Sequence, residues 1–201
     1  MAITIEPLTG AALTQALPAL ARLRITVFRD WPYLYDGTLD YEQDYLAKFA
    51  AAKSAVVVAA RDGGEIVGVA TASPLREHTD KFAPLFRRHG FDPDRIFYCG
   101  ESVLLPSYRG RGIGHAFFDH REAQARRCRT GDGQAFTHTA FCGVIRPADH
   151  PARPANYVPL DAFWTKRGYV KQTGMIGSYA WQDIGSSEET EKPMQFWVKP
   201  L

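Results

Sequence analysis

A glycine-rich turn near the middle of the chain carries the clearest chemical signal. Gly110, Gly112 and Gly114 alternate with Arg109 and Arg111, directly after an apolar run and directly before a helical pattern. The first backbone N–H groups of a helix have no acceptor within the helix, and the helix dipole favours an anion beside them. Glycine removes the Cβ that would hinder close approach of a ligand to this backbone. The turn therefore predicts a site that suits a pyrophosphate.

Two other phosphate-binding motifs do not fit this turn. A dinucleotide fold has Gly-x-Gly-x-x-Gly after an early strand, with an acidic residue about 20 positions further on. The glycines here alternate with other residues, and they lie in the middle of the chain. A P-loop ends in Gly-Lys-Ser or Gly-Lys-Thr, and this turn does not. The motif therefore belongs to another kind of phosphate-binding fold.

Glu101 is the second residue that could do chemistry. It lies within an apolar run that we predict to be a buried strand, two positions before Val103 and therefore on the same side of that strand. A carboxylate at such a position can accept a proton from a reacting group, directly or through water. A charge in a buried strand rarely lacks a role. The alternative is a carboxylate that pairs with Arg95 or Arg111, or that only orients a substrate.

Alternating strands and helices position these residues. We predict strands where apolar residues run together or alternate with polar ones, at 3–5, 55–60, 66–72, 96–105, 135–144, 169–181 and 194–198. We predict helices where apolar residues recur at helical spacing, at 17–27, 41–52, 112–129 and 160–167. Pro18 is expected in the first turn of the first helix, and Arg121 and Glu122 on the solvent side of the third. The class is α/β with a mixed sheet.

The composition is that of an ordinary soluble domain. The 201 residues are 45% hydrophobic and 23% charged, with a net charge of +2, and predict one domain over 1–201. This charge is too small to predict a nucleic-acid or membrane partner. The first residues lack the basic start and apolar run of a signal peptide, so a cytoplasmic protein is expected. The cysteines and histidines show no metal-binding spacing, so no metal is predicted.

The turn resembles the acyl-CoA pyrophosphate motif of the GCN5-related N-acetyltransferase (GNAT) family. Arg109-x-x-Gly112-x-Gly114 matches that motif, and the residues from Pro106 onward are similar to its common bacterial form. The segment 162–169, which reads Ala-Phe-Trp-Thr-Lys-Arg-Gly-Tyr, resembles the late helix of the family, which ends in Gly-Phe or Gly-Tyr. The order of elements along nearly the whole chain also fits the family.

The resemblance implies a fold and a co-substrate. The fold is a mixed, mostly antiparallel sheet of about seven strands, flanked by helices and splayed between its fourth and fifth strands. Acetyl-CoA would lie in the splay, with its pantetheine arm along the free edge of the fourth strand at Val103, Leu104 and Leu105. The pyrophosphate would lie on the turn, which consists of Arg109, Gly110, Arg111, Gly112, Ile113, Gly114 and His115.

The resemblance also implies transfer of an acetyl group to a primary amine, by direct attack in a ternary complex. Many members have a general base on the fourth strand, which is where Glu101 stands. Many have a tyrosine acid in the late helix, five residues before the aromatic that follows its terminal glycine; that position is Trp164 here. Because an indole cannot protonate sulfur at a useful rate, Tyr157 is the predicted acid, unless it packs under the neighbouring prolines. Cys142 and His138 are weaker candidates.

Two further features bear on the acceptor. Trp31, Tyr33 and Tyr35 follow the first helix, where family members shape the acceptor pocket; they either hold a cationic or apolar amine or pack in the core. The insertion at 73–94 is longer than a plain connection and predicts a lid. A small-molecule amine is the expected partner. The alternatives are a longer acyl group, a protein amine as acceptor, or a non-catalytic acyl-CoA-binding sensor, and a homodimer stays open.

Overall fold

One mixed sheet with helices on both faces organises the chain. The structure, a computed structural model, describes residues 2–52 and 54–201, so Met1 and Lys53 of the predicted domain lie outside the described residues. The strands are β1 (Ile3–Leu8), β2 (Val56–Asp62), β3 (Glu65–Pro74), β4 (Ile96–Leu104), β5 (His138–Val144), β6 (Val170–Gln182) and β7 (Glu189–Pro200). The α-helices are α1 (Gly10–Phe28), α2 (Leu39–Ala51), α3 (Leu75–His78), α4 (Ala83–Arg88), α5 (Ile113–Arg127) and α6 (Asp161–Lys166).

The strands lie in the order β1-β2-β3-β4-β5-β7-β6. Neighbouring strands are antiparallel except for β4 and β5, which run parallel. The predicted fold class, a mixed and mostly antiparallel sheet flanked by helices, is therefore confirmed. Within the described ranges, no helix combines the length and the apolar character that crossing a membrane would require.

Helix α1 begins earlier than the sequence predicts. It starts at Gly10, so the expected position of Pro18 in the first turn is wrong, and Pro18 lies inside the helix. An interior proline costs on the order of 3 kcal/mol, because it removes a hydrogen bond and crowds the preceding turn. Burial of Ala16, Leu20 and Leu23 along the same helix offsets this cost.

Strand β4 carries a β-bulge at Gly100. Thr71 of β3 pairs with Glu101, whereas the next residue of β3 pairs with Cys99, so Gly100 is the extra residue. A Cβ at Gly100 would lie 2.8 Å from Thr71 Oγ1, which explains the glycine. Without the bulge, Glu101 would share the face of Cys99, which packs toward α5. The bulge turns Glu101 to the opposite face, where Val103 packs against α1.

Strands β4 and β5 separate beyond their first residues. Their parallel pairing consists of Ile96 with His138, Phe97 with Thr139, and Tyr98 with Ala140. Strand β5 instead stays paired with β7 along its whole length. The edge of β4 from Cys99 onward consequently has no strand partner on the β5 side among the described residues. The predicted splay between the fourth and fifth strands is confirmed.

Two charged residues of α5 are buried rather than solvent-facing, which corrects the sequence prediction. Arg121 is 1% exposed and donates a hydrogen bond from Nη1 to the carbonyl oxygen of Glu101 at 3.1 Å. Glu122 is paired with Lys199 at 2.8 Å and with Arg167 at 3.2 Å. These partners come from distant parts of the chain, so helical spacing alone could not reveal them. Arg121 thereby supports β4 at the bulge.

The insertion at 73–94 forms α3, α4 and their connections, and its apolar side chains belong to the core. Leu75 and Phe86 are fully buried and Phe82 is 2% exposed. They pack with Tyr98 of β4 and Phe196 of β7. Opening this segment would expose all of these side chains, so the packing favours a fixed wall of the site over the predicted lid.

Candidate active site

The glycine-rich turn forms the N-terminus of α5. Gly110 and Gly112 have φ values of 77° and 81°, in the left-handed region that favours glycine, and Gly112 caps the helix. Along the described chain, the backbone N–H groups of residues 110–114 have no backbone acceptor. Free donors therefore cluster at the positive end of the helix dipole, as an anion-binding site requires. The turn fits a pyrophosphate.

The residues around the turn fix its shape. Tyr108 donates a hydrogen bond to Asp62 Oδ2 at 2.9 Å, and Arg111 donates one to the carbonyl oxygen of Ser107 at 2.9 Å. A Cβ at Gly114 would lie 3.3 Å from the ring of Phe163 on α6, so the small residue allows close packing of α5 and α6. The turn is therefore held from both sides.

Leu105 is the least suited of the three residues predicted to contact a pantetheine arm. Its N–H donates to the carbonyl oxygen of Val67 at 3.0 Å, and its carbonyl accepts from the N–H of Tyr108 at 3.0 Å. Val103 and Leu104 lie within β4, on the part of the strand that has no partner on the β5 side. They remain the predicted contacts.

Glu101 belongs to a buried ion cluster. Arg24 of α1 forms ion pairs with both Glu101 and Glu42 of α2, and Tyr45 donates a hydrogen bond to Glu101 Oε2 at 3.0 Å. The side chains of Arg24 and Glu101 are 8% and 5% exposed. Burial disfavours the charge of Arg24, but the carboxylates of Glu101 and Glu42 outweigh it and raise the arginine pKa above its usual range.

Arg24 is the partner that sequence reasoning missed, and both expected partners of Glu101 are wrong. Arg95 donates from Nε to the carbonyl oxygen of Ala135 at 3.0 Å. Arg111 donates to the backbone of its own turn. The available signal for Arg24 was a charged residue one turn after Leu20, within the apolar stripe of the first helix. Such a charge must find a partner when the stripe is buried.

The cluster has more acceptors than donors. Oε1 of Glu101 and Oε1 of Glu42 are buried without a hydrogen-bond partner in the described structure. With Arg24 as their counter-ion, two ionised carboxylates leave an excess of one negative charge. An unsatisfied buried acceptor costs about 1–3 kcal/mol. The cluster therefore favours a ligand that brings a positively charged donor.

A chain of hydrogen-bonding side chains lies on the same face of the sheet, at the point where β4 and β5 separate. The hydroxyl of Tyr98 is 3.1 Å from Cys142 Sγ, and His78 Nε2 is 3.3 Å from the hydroxyl of Tyr179. Tyr98 and Tyr179 also share a hydrogen bond. The His78 and Tyr98 rings lie 4.8 Å apart. We call these four residues the tyrosine chain.

Burial governs the titration of the tyrosine chain. It raises the pKa of Tyr98 and Tyr179 above the usual range and lowers the pKa of His78. It also raises the pKa of Cys142 to about 12. A thiol with this pKa is protonated at neutral pH and is a poor nucleophile. A covalent acyl-cysteine route through Cys142 is therefore disfavoured.

Tyr33 and Tyr35 lie beside the ion cluster. Burial raises the pKa of Tyr33, and the nearby charge of Glu101 adds to this rise. Burial likewise raises the pKa of Tyr35, to which Glu42 contributes. The ring of Tyr33 is 5.8 Å from that of Trp181 on β6. The structure thus brings two of the three predicted acceptor aromatics to the carboxylates.

Trp31 and Tyr157 instead contact each other in the loops outside the sheet. Their rings meet edge to face at 5.9 Å, and Trp31 lies 5.1 Å from His150. The guanidinium of Arg153 lies 5.6 Å from the Tyr157 ring. Among the described residues, neither a hydrogen bond nor an ion pair joins Tyr157 to Glu101. These contacts favour the packing role that the sequence also allowed for Tyr157.

Arg146 fixes the loop that carries these aromatics. Its guanidinium donates to the carbonyl oxygens of Pro32 at 2.9 Å and Tyr33 at 2.6 Å. It also binds both carboxylate oxygens of Asp183, at 2.9 and 2.7 Å. A bidentate pair of this kind holds its partners in one geometry. Arg146 thus ties the α1–α2 loop to the end of β6, which the sequence did not reveal.

His138 lies at the paired end of β5, opposite Ile96, and away from the splay. Trp164 packs against the other face of β5, where a Cβ on Gly143 would lie 3.1 Å from the indole. Its ring is 5.0 Å from Phe141 and 5.2 Å from Trp197. Neither residue has the placement of a proton donor to the cleft.

Trp164→Phe is expected to retain most of kcat, because the indole fills space between α6 and β5 and supplies no proton. The measurement is steady-state kinetics together with a melting curve, which separates a folding defect from a chemical one. A loss of ~10²-fold or more with intact folding, the usual effect of removing a general acid, would contradict the expectation.

A surface depression of about 770 Å³ lies elsewhere, between α3 and the turn at 129–136. Two of its charged residues, Arg76 and Asp94, form an ion pair with each other at 3.2 Å. Among the described residues, no group of three His, Cys, Asp or Glu side chains could hold a metal ion. The splayed cleft therefore stays the candidate site.

The sheet opens beside the free edge of β4, and this strand leads into the anion site at the start of α5. Together these features define an acyl-CoA-dependent acyltransferase fold. The sequence model of the Acetyltransferase (GNAT) family matches residues 20–143. Because the match covers more than half of the chain, this protein belongs to that family. A search of curated protein sequences finds no match.

Solved structures share this fold over nearly the full chain. Ribosomal-protein-alanine N-acetyltransferase from Brucella melitensis is 18% identical, with a TM-score of 0.60 over 98% of this chain and 99% of that one. NAA60 of Arabidopsis thaliana in complex with acetyl-CoA is 15% identical, with a TM-score of 0.61 over 100% and 99%. At such low identities these likenesses establish the fold alone.

Proposed function

We propose that this protein is an N-acetyltransferase that transfers the acetyl group of acetyl-CoA to a primary amine. The observation that carries the proposal is the free edge of β4, which leads directly into the free N–H groups of residues 110–114. The pantetheine arm pairs with the strand edge, and the pyrophosphate binds the turn. The acetyl thioester then lies near Glu101, where the strands separate.

Glu101 accepts the proton of the attacking amine in this proposal. Its free oxygen Oε1 is buried, and the excess negative charge of the cluster favours an ammonium group. Transfer of one proton to the carboxylate leaves the nitrogen lone pair free to attack the thioester carbonyl. Direct attack in a ternary complex follows, because the Cys142 thiol is unsuited to carry the acetyl group.

The pocket favours a small alkylamine as the acceptor. Tyr33 and Tyr45 place aromatic rings beside the carboxylates, and aromatic faces attract cations. Arg146 anchors the loop that forms one wall. Two alternatives, a protein amine and a non-catalytic acyl-CoA sensor, are outcomes that the test below distinguishes.

The first test is binding of acetyl-CoA, measured as a rise in melting temperature. Ligand that binds only the folded chain stabilises it by mass action, by ~2.7 kcal/mol at a concentration of 100 times Kd. The second step is release of free CoA thiol in the presence of an amine panel, including alkylamines, arylamines and peptides. Binding with turnover of an alkylamine supports the proposal. Binding without any turnover indicates a sensor, and absence of binding refutes the proposal.

A further inference from the structure

Acetyl transfer leaves a thiolate that needs a proton, and Trp164 has no hydroxyl to supply one. We infer that Tyr98 donates this proton to the departing sulfur, and that Tyr179 and His78 position it. The inference rests on the proposed function, since it needs acetyl-CoA in the splayed cleft. It makes Tyr98 a catalytic residue and the other two positioning residues.

The location of Tyr98 follows from the strand pairing. Tyr98 is the last residue of β4 that pairs with β5, so it marks the closed end of the splay. The free edge from Cys99 to Leu104 spans roughly 20 Å at the usual rise per residue. A pantetheine arm that starts at the turn and follows this edge carries its sulfur toward the closed end. The sulfur therefore approaches the Tyr98 side chain.

The bulge places Tyr98 and Glu101 on the same face of β4. Gly100 is the extra residue between them, so Tyr98 packs with Phe82 and Phe196 on the face that Glu101 also occupies. The carboxylate that takes a proton from nitrogen and the hydroxyl that gives one to sulfur thus flank the same thioester.

A hydrogen-bond chain stands behind the Tyr98 hydroxyl. His78 Nε2 contacts Tyr179 at 3.3 Å, and Tyr179 in turn bonds to Tyr98. The hydrogen bond between the two tyrosine hydroxyls can run in either direction. When His78 donates to Tyr179, Tyr179 can donate to Tyr98, and the Tyr98 proton is then left to face a sulfur. Chains of this kind strengthen each successive donor.

A sulfur of the protein already occupies the position facing Tyr98. Cys142 Sγ lies 3.1 Å from the hydroxyl, and Cys142 as a whole residue is partly buried, whereas Tyr98 is 1% exposed. Burial at this place raises the cysteine pKa to about 12. A thiolate formed here would be equally disfavoured by the surroundings. Protonation as the sulfur departs removes that cost.

The step balances with water as the only further reactant, because the ammonium group first passes one proton through Glu101 to water, and Glu101 is ionised again when the neutral amine attacks. The amine nitrogen forms a bond to the carbonyl carbon, the carbon–sulfur bond breaks, and its electron pair goes to sulfur. Sulfur takes the Tyr98 proton, and the nitrogen gives its proton to Glu101. Transfer of that proton from Glu101 back to the Tyr98 phenolate then restores the starting state, with amide and free thiol as products.

The direct test is the thiol pKa of CoA bound to the protein, measured from thiolate absorbance in the difference between the complex and its separate components. A donated hydrogen bond stabilises the thiolate, so Tyr98→Phe is expected to raise the bound-thiol pKa by about one to two units. Tyr179→Phe is expected to raise it less. With a turned-over amine, Tyr98→Phe should also lower kcat by ~10²-fold or more, at nearly unchanged CoA affinity.

Tyr169→Phe is the matched control. Tyr169 is also 1% exposed, and its hydroxyl hydrogen-bonds to Thr139 at 2.8 Å and to Cys99, but it packs toward α5 on the other face of the sheet. The Tyr169→Phe variant should have the same bound-thiol pKa and the same kcat as the parent protein. An unchanged thiol pKa in Tyr98→Phe would overturn the inference, even if kcat fell. If the parent itself binds no CoA, the proposed function fails first, and the inference fails with it.

Discussion

Replacing Gly112 with valine is expected to abolish acetyl-CoA binding. Gly112 has a φ of 81°, where a β-branched residue is strained, and it stands among the free N–H groups of the turn. A space-filling side chain there would occupy the path of the pyrophosphate, although no protein atom lies within 4 Å of its Cβ position. Calorimetry with CoA and a ligand-induced melting shift both measure the loss.

Gly133→Val is the matched control for this substitution. Gly133 also has a φ of 81° and open space around its Cβ position, but it lies in the turn after α5, remote from residues 110–114. Both variants should lose about 1–2 kcal/mol of stability from the strained backbone. Only Gly112→Val should lose binding. Normal CoA affinity in that variant would refute the assignment of the turn.

Glu101→Gln is expected to lower kcat at neutral pH by ~10²-fold or more and to leave CoA affinity nearly unchanged. The amide keeps the size of the side chain but cannot accept the proton of an ammonium group. An alkylammonium has a pKa of about 10.4, so raising the pH supplies free amine without a base. The difference in kcat between the variant and the parent should therefore become smaller as the pH rises. A pH profile of kcat for both proteins measures this.

Glu122→Gln separates loss of a buried carboxylate from loss of a base. Glu122 belongs to α5, is 4% exposed and is paired with Arg167 and Lys199. Breaking a buried pair of this kind costs on the order of 3–5 kcal/mol, because a buried charge loses its partner. Glu101→Gln likewise removes one carboxylate partner from the buried Arg24. The control should lose stability but keep the pH profile of the parent. Equal activity of Glu101→Gln and the parent from mildly acidic to mildly alkaline pH would leave Glu101 an orienting residue.

The strands, the main helices and the turn could be predicted because local patterns determine them, whereas the splay was implied by the resemblance to the GNAT family. The alternation of residues in β4, the glycines after it and the helical spacing behind them are all readable within one stretch of sequence. The boundaries were less accurate, as the early start of α1 at Gly10 illustrates, because burial of an amphipathic face outweighs the local cost of Pro18.

The remaining features of the candidate site depend on contacts that no local pattern encodes. Arg24 of α1 pairs with Glu101 of β4, which is distant in the sequence, and the tyrosine chain draws its members from α3, β4, β5 and β6. Which side chains meet depends on strand register and on the bulge, and a shift of one residue reverses every face. The three aromatics of the acceptor loop were visible in the sequence, but their division between the pocket and the outer loops was not.

Because of Gly100, the chain should tolerate substitutions in the acceptor pocket better than changes that affect the bulge in β4. A change that removed the bulge but kept the length of β4 would bring Gly100 into the regular pairing, rotate Glu101 toward α5 and separate it from Arg24, although every chemical group would still be present. Residues around Tyr33 can in principle be exchanged one at a time to suit a new acceptor. Evolution of this scaffold is therefore expected to proceed by substitution in the pocket, while Gly100 and its bulge are inherited unchanged.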